Sequence, residues 1–210
     1  DTQGFGNGLV TDPNGIAGGD AVQLRFFTDV IRVGLAGNLR DYRFTACDGT
    51  VRLGSEIYFN GQVVGYASQP YESINYVDAH DNETLYDLNM WKMPANSTME
   101  DRVRMNTVSL ATVTLGQSPA FWHAGTDLLR SKSMDRNSYN SGDWFNAINW
   151  TGQESNFGVG LPPERDNRSR WQAMSPYLAN PANKPGAKDI AAAHGQALEL
   201  LALRRSTPLF

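Results

Sequence analysis

Cysteine is almost missing from this sequence, with Cys47 the single example in 210 residues. An intrachain disulfide is therefore excluded, and a cysteine-built zinc cluster loses its basis. Cys47 precedes the turn pair Asp48-Gly49 and is expected to be an inert loop or edge residue. Long apolar runs are missing as well: none approaches 18 residues, so no segment reads as a membrane-spanning helix. Concentrated positive charge is the third absence. The net charge is −4 and no Lys/Arg block occurs, so the footprint of a nucleic-acid binder is not there. Histidine is scarce at three, against five Trp and eight Tyr. Such rings stack on the apolar faces of sugars, and they pack cores equally well. With 40% hydrophobic and 19% charged residues the composition is ordinary for a globular chain, long enough to bury a sizeable core.

Local patterns then place the elements. Gly4 to Gly15 is turn-rich and fails the spacing of a dinucleotide loop, so it reads as surface loop. Asp20 is positioned to cap a helix over about 21–38, in which Val22, Phe26, Val30 and Val33 recur at helical spacing. Asn60-Gly61 predicts a hairpin between 56–59 and 62–66. Residues 73–77 alternate and read as a short strand, followed by a helix from Glu83 to about Lys92 that Pro94 stops. Ser97 or Thr98 caps the next helix, to about Gln117, and 119–123 reads as a second short strand. Asp127 to Arg130 is a turn or two of helix, 131–167 is a long polar and aromatic loop, and the last helix spans about 187–205. A loop of that length inside a domain points to function. Strands separated by long helical connections suggest parallel βαβ units with polar clusters at the strand ends, where doubly wound sheets and barrels keep their sites. Periodicity does not choose between those two folds.

Asp78-Ala79-His80-Asp81-Asn82-Glu83 is the densest chemical cluster. An imidazole, carboxylates and an amide at a strand end can bind substrate or move protons, and the same residue types also cap helices. Three stretches carry a resemblance. Tyr76-Val77-Asp78-Ala79-His80-Asp81-Asn82-Glu83-Thr84-Leu85 is similar to the strand-seven motif of the α-amylase superfamily, in its pullulanase and limit-dextrinase form. The second runs from Phe121-Trp122-His123-Ala124-Gly125 through Leu129-Arg130-Ser131-Lys132-Ser133 to Asp135-Arg136-Asn137-Ser138-Tyr139-Asn140-Ser141-Gly142-Asp143-Trp144-Phe145-Asn146. The third is Phe157-Gly158-Val159-Gly160-Leu161-Pro162-Pro163, and the resemblance extends from about Gly4 to the end.

The resemblance implies an α/β fold, the C-terminal part (about strands six to eight) of a (β/α)8 TIM-type barrel, with strand seven at about 73–78 and strand eight at about 119–123. It implies a retaining glycoside hydrolase that cleaves α-1,6 branch linkages in pullulan, amylopectin or glycogen limit dextrins. Asp81 would be the catalytic carboxylate that stabilises the transition state, and His80, Asn82, Arg136 and Asn137 would contact substrate. Asp143-Trp144 would line the cleft or pin the long loop, Trp122 would be core, and His123 would be structural or support the residues that touch substrate. His194 would be a solvated or half-buried residue of the last helix. A retaining pair needs a nucleophile and a general acid about 5–5.5 Å apart. The family motifs that supply them, Arg-x-Asp and Gly-Glu-Gly-Trp, do not occur in this sequence. The whole of 1–210 is therefore expected to be the C-terminal segment of a catalytic barrel, without the upstream strands or the downstream β-sandwich, and inactive alone. A partial barrel would expose strand edges and aggregate.

The implied partner is a branched α-glucan, with neither nucleic acid nor membrane. No cofactor is implied; structural calcium is common in the family and has no locatable site here. An extracellular bacterial protein, an intracellular one and a plastid one are all compatible. Two other readings stand beside this one: a non-catalytic glucan-binding module, and an open α/β protein in which the Asp/Asn cluster is a helix cap. The sequons at Asn82, Asn96, Asn149 and Asn167 would matter only in a eukaryotic secretory setting.

Overall fold

The computed structural model describes residues 1–16 and 20–210. In chain order the elements are α1 (Ala21–Leu35), β1 (Arg43–Thr45), β2 (Val51–Leu53), β3 (Tyr58–Phe59), β4 (Gln62–Val63), α2 (Leu85–Lys92), α3 (Met99–Thr114), α4 (Asp143–Asn146), α5 (Glu164–Asn167), α6 (Trp171–Ala179) and α7 (Ala187–Ser206). The chain divides into one unit of Asp1, Val77–Thr107 and Trp122–Leu198, and another of Thr2–Tyr76, Val108–Phe121 and Glu199–Phe210.

Several local expectations are met, each for a visible reason. The Asp20 carboxylate accepts the Gln23 backbone N–H at 2.8 Å and opens α1. Thr98 and Asp101 form a reciprocal cap before α3: the Thr98 hydroxyl accepts the Asp101 N–H at 3.1 Å, and the Asp101 carboxylate accepts the Thr98 N–H at 3.3 Å. Asn60 and Gly61 both take positive φ, 49° and 77°, the geometry of the two-residue turn that joins β3 to β4.

In the second unit the core is Val33, Phe44, Ala46 and Ile57, with Val30, Tyr42 and Val64 packed on it. The sheet β1–β2 was not foreseen. It is an antiparallel pair in which Phe44 faces Arg52, closed by the turn that holds Cys47. Cys47 is exposed, and its backbone N–H donates to the buried Asp29 carboxylate at 2.8 Å. Gly54 and Gly65 touch: a Cβ on Gly65 would lie 2.3 Å from the Gly54 carbonyl carbon, so only glycine fits.

The barrel expectation is overturned. The chain is mostly helical, with two small two-stranded antiparallel sheets. Parallel pairing among the described residues is confined to single bridges, Leu39 with Ala67 and Asn75 with Ala120. Segments 73–78 and 119–123 are thus not barrel strands. At the Asn75–Ala120 bridge the Pro119 carbonyl accepts from the Asn75 N–H at 3.3 Å and the Asn75 carbonyl accepts from the Phe121 N–H at 2.9 Å; Pro119 has no N–H to extend the pairing back toward Ser73. Ser73 and Ser118 instead share a buried hydroxyl–hydroxyl bond of 2.6 Å. The alternation of 73–77 is real but its face is inverted: Ser73 is 2% exposed, whereas Ile74 and Tyr76 are 62% and 60% exposed. A strand of the expected kind would bury the apolar pair.

The first unit is built around Tyr86, Met90, Val103, Leu129, Met134, Phe157, Met174 and Ala193. The Tyr86 and Phe157 rings meet edge to face at 5.8 Å, and the Tyr86 hydroxyl donates to the Asn183 carbonyl at 2.7 Å. The stretch 131–167 is largely loop as expected, interrupted by α4 and α5. α6 was unforeseen because Pro176 lies inside it and reads as a breaker. On α7 Ile190, Ala193 and Ala197 are buried, whereas Leu198, Leu201 and Leu203 are exposed.

Exposed side chains, rather than barrel strand edges, should make the isolated chain bind a hydrophobic dye. Ile74, Tyr76 and Phe121 are exposed together at the Asn75–Ala120 bridge. The 210-residue chain should enhance the fluorescence of a hydrophobic dye, and an Ile74→Ser/Tyr76→Ser variant should reduce it with unchanged helical circular dichroism. A dye-silent parent chain would contradict this.

Candidate functional site

The cluster after residue 77 splits into two groups with different tasks. Asp78 is buried, and its carboxylate accepts from the Leu85 N–H at 3.0 Å and from the Thr126 hydroxyl at 2.9 Å. Thr84 caps α2, its hydroxyl accepting the Asp87 N–H at 3.2 Å. Capping is thus done by Asp78 and Thr84. His80 and Asp81 face solvent, with side chains 86% and 77% exposed and His80 Nε2 3.6 Å from Asp81 Oδ2. Asn82 is exposed too, and its backbone is left-handed at φ 60°.

Three of the four expected contact residues come together with Asp81. Asp81, Asn82, Arg136 and Asn137 line one open cleft of about 530 Å³, joined by Arg165 and Asp166. His80 is attached to it through its contact with Asp81. Arg165 and Asp166 escaped the sequence reading, although only Glu164 separates them from the recognised Pro162-Pro163. Two carboxylates and two guanidinium groups line the cleft, so it presents polar donors and acceptors without net charge. Asp166 accepts from the Asn137 side-chain amide at 3.0 Å, and Arg165 lies across the exposed Tyr139 ring, 5.5 Å from its centre.

Buried polar groups shape the loops that present these side chains. The Asp135 carboxylate accepts the Asn137 N–H at 2.9 Å, the Ser141 hydroxyl at 2.6 Å and the Asn167 amide at 3.0 Å. Asn167 also accepts the Arg136 N–H at 3.2 Å. Because the Asn167 side chain is buried and used on both sides, that sequon is closed to a glycan. The Trp144 indole donates to the Val159 carbonyl at 3.1 Å and pins the loop, while most of its ring stays exposed.

Asp87 organises the turn at 131–134. Its carboxylate accepts the Ser131 hydroxyl at 2.5 Å, the Lys132 N–H at 2.7 Å and the Met134 N–H at 3.1 Å. These bonds hold Ser133 and Met134 at positive φ, 53° and 63°, which non-glycine residues avoid. Burial pushes the Asp87 carboxyl up to about 6, against the pull of those three donors. The turn directs Lys132, only 1% exposed, so that Nζ donates to the Asn82 carbonyl at 2.7 Å and approaches the His80 carbonyl at 3.4 Å. Burial lowers the pKa of this ammonium.

His123 is mostly enclosed and contacts protein groups through both ring nitrogens. Arg130 donates to its Nε2 at 3.0 Å, so Nε2 is the acceptor and Nδ1 carries the hydrogen toward Asp78, 3.4 Å away. His194 is half-buried on α7 with Nδ1 2.9 Å from Asp127. Trp122 is half-buried rather than fully in the core.

Relatives are found across the whole chain. Residues 152–210 match the family of alpha-1,6-glucosidases, pullulanase-type, C-terminal. The chain is 43% identical over 213 residues to the chloroplastic pullulanase 1 of Arabidopsis thaliana, covering 99% of this chain and 22% of that protein. It is 43% identical over 208 residues to a pullulanase of Klebsiella aerogenes, covering 99% of this chain and 19% of the relative. Among solved structures, the apo pullulanase of Klebsiella pneumoniae superposes with a TM-score of 0.93 at 42% identity, over 98% of this chain and 22% of that one. The same organism's pullulanase complexed with maltotriose gives 0.92 at 42% identity, over 98% and 20%. This chain therefore spans about a fifth of the length of its relatives. The family match lies downstream of both segments expected to be barrel strands.

Asp87 should leave a pH signature. Its folded pKa lies above the ordinary carboxylate value, so the stability linked to it is fully present below about pH 4. That contribution is lost as the pH rises through about 6. Asp87→Asn should remove this dependence and keep the stability near the parent's pH 4 level, because the neutral amide mirrors the protonated acid: its oxygen can accept the Lys132 and Met134 N–H groups while its NH2 faces the Ser131 hydroxyl. Urea unfolding of both proteins from pH 4 to 7 checks it; parallel stability profiles would contradict the assignment.

Proposed function

We propose that this chain, a pullulanase homologue over 99% of its length, supplies the sugar-gripping side of an α-glucan debranching site. The protein that carries it would hydrolyse α-1,6 branch linkages in pullulan, amylopectin or glycogen limit dextrins with retention at the anomeric carbon. The observation that carries the reading is the gathering of Asp81, Asn82, Arg136 and Asn137 around one open cleft. A glucan is uncharged and rich in hydroxyls, and a lining of balanced charge suits such a ligand better than an ionic one.

In this proposal Asp81 accepts hydrogen bonds from hydroxyls of the sugar at the scissile bond. Those bonds tighten as the ring flattens toward an oxocarbenium-like transition state, which is how they accelerate cleavage. His80 and Asn82 contact the same sugar, and Arg136 and Asn137 hold the glucan further along. The exposed Tyr139 offers a face for stacking. The nucleophile and general acid lie outside these 210 residues. Within the cleft the only other carboxylate, Asp166, is already engaged by Asn137. By itself the chain binds a branched maltooligosaccharide without turnover, and the chemistry requires no cofactor. Calorimetric titration of the isolated chain that gave no heat with such an oligosaccharide would count against the binding role.

The decisive assay is release of reducing sugar from pullulan by the full protein that carries this segment. Cleavage of linear amylose with pullulan left intact would overturn the debranching assignment. Asp81→Asn should lower turnover by about 10²–10⁴-fold, the worth of several kcal/mol in the transition state. Because Asp81 is so exposed, the same substitution should shift stability by no more than about 0.5 kcal/mol.

A further inference from the structure

A lysine that is 1% exposed is unusual, because burial strips an ammonium of its hydration. Among the described residues no carboxylate lies within ion-pair distance of Lys132. Its Nζ instead meets two carbonyl dipoles, those of Asn82 at 2.7 Å and His80 at 3.4 Å. These carbonyls flank Asp81 on either side in sequence. The Asn82 backbone is left-handed, a conformation asparagine adopts more readily than other residues with a side chain. The Asp87 carboxylate fixes the turn from which Lys132 projects, and the Ser133 hydroxyl ties that turn to the Gly160 carbonyl at 2.6 Å. If the pocket needed filling alone, methionine or leucine would fill it at lower cost.

We propose that Lys132 is a positioning residue: by gripping the carbonyls of His80 and Asn82 it sets the direction in which the Asp81 carboxylate enters the cleft. Lys132 itself lies below the loop and touches no substrate. The proposal rests on the sugar-gripping role of Asp81 given above. A displaced carboxylate loses transition-state contacts first, since misplacement of about 1 Å can cost roughly 10²-fold in rate. The effect therefore falls on kcat more than on KM.

The test uses the full protein that carries this segment, with pullulan as substrate. Lys132→Met should fold with a melting transition close to the parent's, lose about 10- to 100-fold in kcat, and change KM by less than about 3-fold. Lys132→Arg keeps the charge and the donors and should recover most of the rate. A folded Lys132→Met with kcat within about 2-fold of the parent would overturn the proposal. If Lys132→Met does not fold, hydrogen–deuterium exchange of Lys132→Gln decides. Amides 81–83 must then exchange about 10-fold faster than in the parent, while those of α2 do not. Equal acceleration in both, or failure of both neutral variants to fold, makes Lys132 a determinant of folding and overturns the positioning role. A parent protein inactive on pullulan sinks the functional reading instead, and the exchange measurement still tests the Lys132 link.

Discussion

One buried carboxylate organises the business end of this molecule. Asp87 is fully enclosed and accepts three hydrogen bonds from a single turn, at 2.5, 2.7 and 3.1 Å. Leaving any of those donors unpaired in a dry interior would cost about 1–3 kcal/mol. The turn therefore stays in a shape that its own residues disfavour, with Ser133 and Met134 both left-handed. Met134 of that turn belongs to the same buried cluster as Met90 and Leu129. Rigidity reaches the cleft from there through Lys132 and the two carbonyls it holds.

The same device recurs on the other wall. Asp135 ties Asn137, Ser141 and Asn167 together and so folds the loop that offers Arg136. Exposed, chemically useful side chains are thus mounted on loops whose buried carboxylates do the folding. This division explains why neighbours such as Asp78 and Asp81 have different fates. Asp78 spends its oxygens on Leu85, Thr126 and His123, whereas Asp81 keeps its own for the solvent-filled cleft.

Legibility from the sequence followed the range of the interaction. The Asp20 cap, the Thr98–Asp101 box and the Asn60-Gly61 turn are set by residues within three positions of one another, and each was readable. The alternation of 73–77 was also readable, but which face it buries was not. That depended on Ser118, 45 residues away, reaching Ser73, and on the missing N–H of Pro119. The expected barrel strands meet only at the Asn75–Ala120 bridge. Pro176 concealed α6 in the same way, since the packing that tolerates a proline inside a helix is tertiary.

Of the candidate site, the sequence by itself determined the chemical inventory: His80, Asp81, Asn82, Arg136 and Asn137, recognisable as types in a recognisable order. Tertiary structure decided which of them share a cleft and which supports hold them. Asp87 and Lys132 are separated by 45 residues, and Lys132 and Asn82 by 50, so no local pattern could pair them. Burial made the difference: a hydrogen bond across that separation means little in an open chain. In a dry interior it fixes a loop, because no water is there to take its place.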